Sequence, residues 1–245
     1  MLLITTPNDY SKSEDLSSAA TALGWEVYSP DEECWMVPDN LKYHQPVIYG
    51  EPLFCRVISK QLGYSLIQHP PTWIVDLPKE YTSRNIEVMK FDEARKIKEP
   101  KFFKTIENDL CLPKVYDNGS LLPKLEYLND VDVIVSDPMN FKAKFRCFVK
   151  DRRVITTCCY AINDDNPYKQ YYDYFIPDVI HFVNKMLADD RVKCANSIVI
   201  DVGRYKSGHT YGTAVIKSQP VWSSYTYDCE RAAILDALVA SCVRN

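Results

Sequence analysis

Residues 131–162 read VDVIVSDPMNFKAKFRCFVKDRRVITTCCYAI, and most of the fold can be argued from them. Val131, Val133 and Val135 alternate as one face of a strand, which runs into Ser136-Asp137-Pro138. Proline has no N–H to give a sheet ladder, so the strand should stop there and the chain turn. Beyond the turn, Phe145, Cys147 and Val149 alternate with Arg146, Phe148 and Lys150, again with a period of two. Lys150-Asp151-Arg152-Arg153 supplies a tight turn, and Val154 to Ile162 reads as the return strand. The product is a strand, a hinge and a β-hairpin with one arginine in an apolar setting. Arginine is seldom placed there without an anion or carboxylate to bind, so the stretch suits a nucleotide cleft.

The rest of the chain sets bounds on that reading. Its 245 residues suffice for one large core or two modest ones. With 46% hydrophobic and 25% charged residues the composition is that of an ordinary globular protein. A net charge of -4 and a pI near 5.6 give no general electrostatic case for nucleic acid. No apolar run reaches the ~20 residues of a membrane span. The opening MLLITTPNDY has no basic segment followed by a long apolar one, so a cytoplasmic setting is expected. Nine scattered cysteines without a CxxC, and four histidines at 44, 69, 181 and 209, show no zinc spacing. Reduced, mostly buried thiols are the expectation.

Toward the N-terminus, Leu2–Thr5 forms a strand and Pro7-Asn8-Asp9 a loop. Ser11 and Glu14 have capping-box spacing ahead of a helix face of Leu16, Ala19, Ala20 and Leu23, which Gly24 ends. Trp25–Tyr28 and Pro46–Tyr49 are further strands, and a helix runs from Pro52 to Gly63. This β-α-β start fits a small α/β domain. Residues 69–84 are rich in proline and aromatics and read as a packed connector. A short charged helix is predicted over Glu93–Lys98, with strands at Phe102–Thr105 and Leu112–Tyr116. Toward the C-terminus, 163–176 reads as an acidic, tyrosine-rich surface loop, and Pro177–Ala188 as an amphipathic helix. Ser197–Val202 is an apolar strand interrupted by Asp201, a carboxylate that needs a cation or several donors if buried. Residues 203–212 read as a loop, 213–216 as the next strand, and Asp228 as the cap of a last helix.

Five features now stand in order: the strand lysine of FFKT, the hinge of VIVSDP, the strand arginine of FRCFV, the strand acid of IVIDVG, and AVIKSQPVWSS before a terminal helix. In that order they resemble the ATP-grasp proteins, specifically the RimK-related branch met in phages and bacteria, over roughly residues 50–240. The resemblance implies an α/β chain of α+β lobes, an ATP-grasp fold whose two lobes enclose a nucleotide cleft. Residues 1–98 would be a preceding α/β domain and 99–245 the grasp lobes. It further implies an ATP-dependent carboxylate–amine ligase that forms an amide through an acyl phosphate. Its partners would be ATP and a carboxylate and amine substrate, peptide or protein included, with neither membrane nor nucleic acid involved. Carried over by motif, Lys104, Ser136, Asp137, Met139, Arg146 and Lys217 bind nucleotide, Arg146 and Asp201 are catalytic, and Asp201 and Gln219 are left to hold Mg2+.

Departures from the family pattern matter as much. The last hairpin usually ends in Glu-x-Asn, and here those positions are Lys217 and Gln219. Lysine has three donors and no acceptor, so it cannot ligate Mg2+ as a carboxylate does. A second family lysine falls on Asp109, and an acid two residues before the strand arginine falls on Lys144. Two readings stay open. In one, the Lys217 ammonium stands where a metal would sit and pairs with Asp201, leaving an inactive grasp fold that binds a protein partner, such as a viral factor engaging a host. In the other, one Mg2+ remains on Asp201 and Gln219. A third and weaker possibility is nucleic-acid binding by Lys142, Lys144, Arg146, Lys150, Arg152 and Arg153, interleaved with Phe141, Phe145 and Phe148.

Overall fold

Leu2, Leu3 and Ile4 have no exposed surface at all, which is the mark of a strand covered on both faces. A computed structural model describes residues 1–7, 13–42, 44–106, 110–124, 130–163 and 172–245. They group into two units, one of 1–69, 143–202 and 217–245, the other of 70–142 and 203–216.

The first unit begins with β1 (Leu2–Thr5), α1 (Ser13–Ala22), β2 (Glu26–Tyr28), β3 (Pro46–Tyr49), α2 (Pro52–Leu62) and β4 (Tyr64–Leu66). β1 lies between β2 and β3, parallel to both, as a β-α-β start requires. Pro52 opens α2 where its missing N–H costs nothing. Gly63 closes it at φ 73°, its N–H bonded to the Ser59 and Lys60 carbonyls. Ser11, and with it the expected capping box, lies outside the described residues, as do Asn8 and Asp9.

The second unit holds α3 (Lys79–Thr82), β5 (Ile86–Lys90), α4 (Phe91–Ala94), β6 (Lys101–Thr105), β7 (Lys114–Tyr116) and β8 (Asp132–Ser136). They form an antiparallel sheet in the order β5-β8-β6-β7. The segment 69–84 is packed as expected, with Trp73, Ile74, Leu77 and Tyr81 buried. The short helix sits earlier than the predicted Glu93–Lys98, because Phe91 and Ala94 drop into the core beside Phe103, Val133 and Val135. Gly119 is pressed against the chain that follows α4, with its N–H 2.8 Å from the Ile97 carbonyl. A Cβ there would stand 2.0 Å from the Ala94 carbonyl oxygen. Gly119→Ala should therefore destabilise this unit by about 1–3 kcal/mol, and urea unfolding would show it. An unchanged midpoint would mean the backbone yields freely at that point.

The first unit resumes with β9 (Phe141–Lys150), β10 (Arg153–Ile162), α5 (Ile176–Ala188), β11 (Ser197–Ser207), β12 (Thr210–Gln219), α6 (Arg231–Ser241) and β13 (Cys242–Arg244). Residues 203–216, the distal parts of β11 and β12, group with the second unit. The strand order is β10-β9-β11-β12, and β13 pairs with β4. Asp151 and Arg152 turn the hairpin at φ 49° and 60°, the mirror-image turn that matches strand twist. Along β9, Phe145 to Val149 are all buried, so the period-two pattern separates two covered faces and not core from solvent. Phe148 joins the large core built on β1, β3, α2 and α6.

Three expectations are corrected. The loop predicted over 203–212 is mostly strand, because Gly203 and Gly212 make room for the Phe141 and Tyr205 rings and do not break the chain. Asp228 does not cap the last helix, which starts at Arg231 with Glu230 in extended backbone before it. In the tyrosine-rich stretch, 164–171 lie outside the described residues, Tyr172 is buried and Tyr174 is exposed. Among the described residues no helix is long and apolar enough to cross a membrane.

Candidate functional site

Arg146 sits on β9 among Phe145, Cys147 and Phe148, with only 3% of its side chain exposed. Asp201 sits on β11 with 0% exposed. A charge so placed must be paired and hydrogen-bonded, and this one is. Arg146 Nε donates to Asp201 Oδ1 at 2.9 Å and Nη2 to Oδ2 at 2.8 Å, a two-pronged pair. Nη1 donates to the Tyr225 carbonyl at 2.8 Å. Gln219, at the end of β12, turns its amide nitrogen to Asp201 Oδ2 at 2.8 Å. Tyr160 directs its hydroxyl to the same oxygen at 3.5 Å. Lys217 places its ammonium 3.9 Å from that oxygen while its side chain remains about half exposed.

Aromatic rings complete the surround. The Tyr160 and Tyr227 rings stack at 4.9 Å, and the Arg146 guanidinium carbon lies 5.3 and 4.8 Å from their centroids. Tyr160 reaches this position through a β-bulge, since the pairing of β10 with β9 skips it between Cys159 and Ala161. Burial alone pushes the Arg146 guanidinium toward losing its proton, but the hydrogen bonds and charge of Asp201 outweigh this and hold it more firmly protonated than usual. Burial, then the Asp201 charge, pushes the Tyr160 phenol well up. The thiols near Arg146 are inert by the same physics. Burial drives Cys147 up to about 12, and the Cys158 contact with burial raises Cys229.

In the second unit, Lys104 lies on β6 between the buried Phe103 and Thr105, and so on the opposite face from both. Ser136 ends β8. Asp137 accepts from Lys101 Nζ at 2.7 Å and from the backbone N and Nδ2 of Asn85 at 3.0 and 2.9 Å. The Lys101 hydrogen bond holds the Asp137 carboxyl below its usual range. Met139 Sδ accepts from Arg84 Nη1 at 3.6 Å, and the same Nη1 donates to the Thr82 and Val215 carbonyls. Burial pulls the Arg84 guanidinium down to about 10. A cavity of about 500 Å³ is bordered by Ile74, Leu77, Arg84, Ile86 and Lys101.

Of the residues singled out in the sequence, Arg146, Asp201, Lys217 and Gln219 thus meet in one cluster, while Lys104, Ser136, Asp137 and Met139 belong to the other unit. Asp109 lies outside the described residues. Lys144 is half-buried on β9. Sequence reasoning missed Tyr160, Tyr225, Tyr227, Arg84 and Lys101. The alternation of Tyr225 and Tyr227 in SSYTYD was the one available signal for the rings. Of the basic residues considered for nucleic acid, Arg146 is buried, Lys150 pairs with Asp236 at 2.7 Å, and Arg152 donates to the Val192 and Asp189 carbonyls.

The donor set around Asp201 does not fit a bound Mg2+. Such an ion takes oxygen ligands, and a carboxylate has about four lone-pair sites. Four donor groups already address Asp201: two from Arg146, one from Gln219 and one from Tyr160. Among the described residues no group of three or more His, Cys, Asp or Glu gathers to replace it.

Comparison with known proteins agrees with this architecture. A family described as an ATP-grasp domain, the second family of its clade, matches residues 81–237. A RimK-domain ATP-grasp protein from Sphaerobacter thermophilus DSM 20745 superposes with a TM-score of 0.56 at 11% identity, over 98% of each chain. The ATP-grasp ligase PsnB, complexed with precursor peptide PsnA2 and AMPPNP, gives 0.52 at 11% identity, over 98% of this chain and 96% of that one. D-alanine–D-alanine ligase from Bacillus anthracis gives 0.51 at 12% identity, over 98% and 96%. No curated protein sequence matches the chain. On the family match and the fold, this chain belongs to the ATP-grasp superfamily, in its RimK-related part.

Proposed function

We propose that the chain is an ATP-dependent carboxylate–amine ligase. In that reaction a carboxylate oxygen attacks the γ-phosphorus of ATP, the bond to the β-phosphate oxygen breaks, and ADP leaves. The lone pair of an amine then attacks the acyl carbon, inorganic phosphate departs, and the amine gives up a proton to leave an amide. One observation supports this above the others. Arg146, Asp201, Lys217 and Gln219 converge from three strands inside the segment that carries the family match.

The guanidinium has five N–H groups, and the bonds to Asp201 and Tyr225 use three of them. The remaining two, with the Lys217 ammonium, are the groups we assign to phosphate. Asp201 then serves to aim Arg146. We assign Lys104, Ser136, Asp137 and Met139 to the nucleotide as well. The ligase PsnB is complexed with a precursor peptide, and on that likeness we place the amine among amino acids and peptides.

ADP release with pooled amino acids and short peptides tests the reading. Wild type should turn over, and Arg146→Ala should lower kcat by about 10²–10³, as loss of a donor to transferring charge does. Equal turnover by both proteins would sink the assignment. The filled valences of Asp201 favour one second reading, a grasp fold that binds and does not catalyse. ATP binding without ADP release under every amine would move the case to it, and to a search for protein partners.

A further inference from the structure

We infer that nucleotide phosphate is met at this site by protein cations, with no Mg2+ held by the protein. The inference deepens the proposed nucleotide-binding function and rests on it. A metal site of the oxygen type needs acceptors facing inward. Here the inward groups are donors. Gln219 gives its NH2 end to Asp201, Tyr160 gives its hydroxyl, and Arg146 gives two N–H groups. Lys217 has no acceptor and brings a second positive charge within 3.9 Å of Asp201 Oδ2.

Charge balance says the same. One carboxylate faces one guanidinium and one ammonium, so the cluster already carries net positive charge before any ion arrives. A dication would be repelled by both cations and would find Asp201 engaged. A triphosphate is attracted to the same surplus without needing a metal to screen it. The half-exposed Lys217 is the accessible part of this arrangement, and the buried Arg146–Asp201 pair is the fixed part. Lys217 therefore holds the place of an absent metal charge, and Arg146 holds the acid that would otherwise have bound it.

Calorimetric titration of ATP into the full chain, in Mg2+ and then in EDTA, tests this directly. Wild-type affinity should change by less than about threefold between the two buffers. Lys217→Glu restores an acid beside Gln219, and its affinity should fall about tenfold or more in EDTA relative to Mg2+. A tenfold fall for wild type in EDTA would overturn the inference and leave the nucleotide-binding function standing. No binding by wild type in either buffer would overturn both. The wild-type comparison decides the matter even if the variant does not fold.

Discussion

Asp201→Ala should cost the protein about 3–5 kcal/mol of stability, because it strands the Arg146 guanidinium in the interior. Three features make the loss large. The arginine side chain is 3% exposed and cannot reach water by rotating. Its Nε and Nη2 lose both acceptors at once, and Gln219 and Tyr160 lose theirs. The Tyr225 carbonyl is left as its remaining strong partner. Asp201→Asn keeps the shape and some of the bonds, so it should cost less. The informative measurement is a cycle in urea with Asp201→Leu, Arg146→Met and the double variant. The double should recover most of what each single loses, since two apolar groups leave no charge unpaired. If Asp201→Ala costs under about 1 kcal/mol, the pair is solvated and this account of the site is wrong.

Trp222→Ala should cost a similar amount, about 3–5 kcal/mol, and should also disturb the site at a distance. Trp222 follows the Gln219-Pro220 end of β12 and is 1% exposed. Its indole N–H donates to the Ile67 carbonyl at 2.9 Å, and its own carbonyl accepts from Gly50 N at 3.0 Å. Removing the ring empties a large volume where β3, α2 and α6 meet, and frees the start of the segment that brings Tyr225 and Tyr227 to Arg146. Thermal melting gives the stability loss, and ATP affinity gives the second effect. A destabilised protein with wild-type affinity would show that the tyrosines are positioned without Trp222.

Local signals told most of the architecture, and their failures have physical causes. α2 was legible because Pro52 and Gly63 mark its two ends by backbone constraint alone. The β9–β10 hairpin was legible because its turn and its alternation agree. β5 was not, because four of its five residues are polar or largely exposed at a sheet edge and no apolar stripe announces it. The glycines at 203 and 212 misled because a glycine that admits a ring looks the same in sequence as one that breaks a strand. Within the candidate site, Arg146 and Asp201 stood out singly, each a charge inside an apolar run. That they choose each other across 55 positions depends on strand order, which neither segment encodes by itself. The bulge that presents Tyr160 depends on pairing in the same way.

The first unit draws its core from both ends of the chain, and this has a consequence for how the protein is made. Leu2–Ile4 share one apolar cluster with Ile234, Leu235 and Leu238, while the cluster of the second unit is confined to residues 91–135. During synthesis the middle of the chain can therefore bury its own side chains early. The amino-terminal strands must wait, with their apolar faces uncovered, until more than two hundred further residues have emerged and α6 can close over them. Contacts so distant in sequence form slowly, and an exposed parallel sheet is sticky while it waits. The price of this design is paid on the ribosome, where the nascent amino-terminal segment is the part with most need of a chaperone.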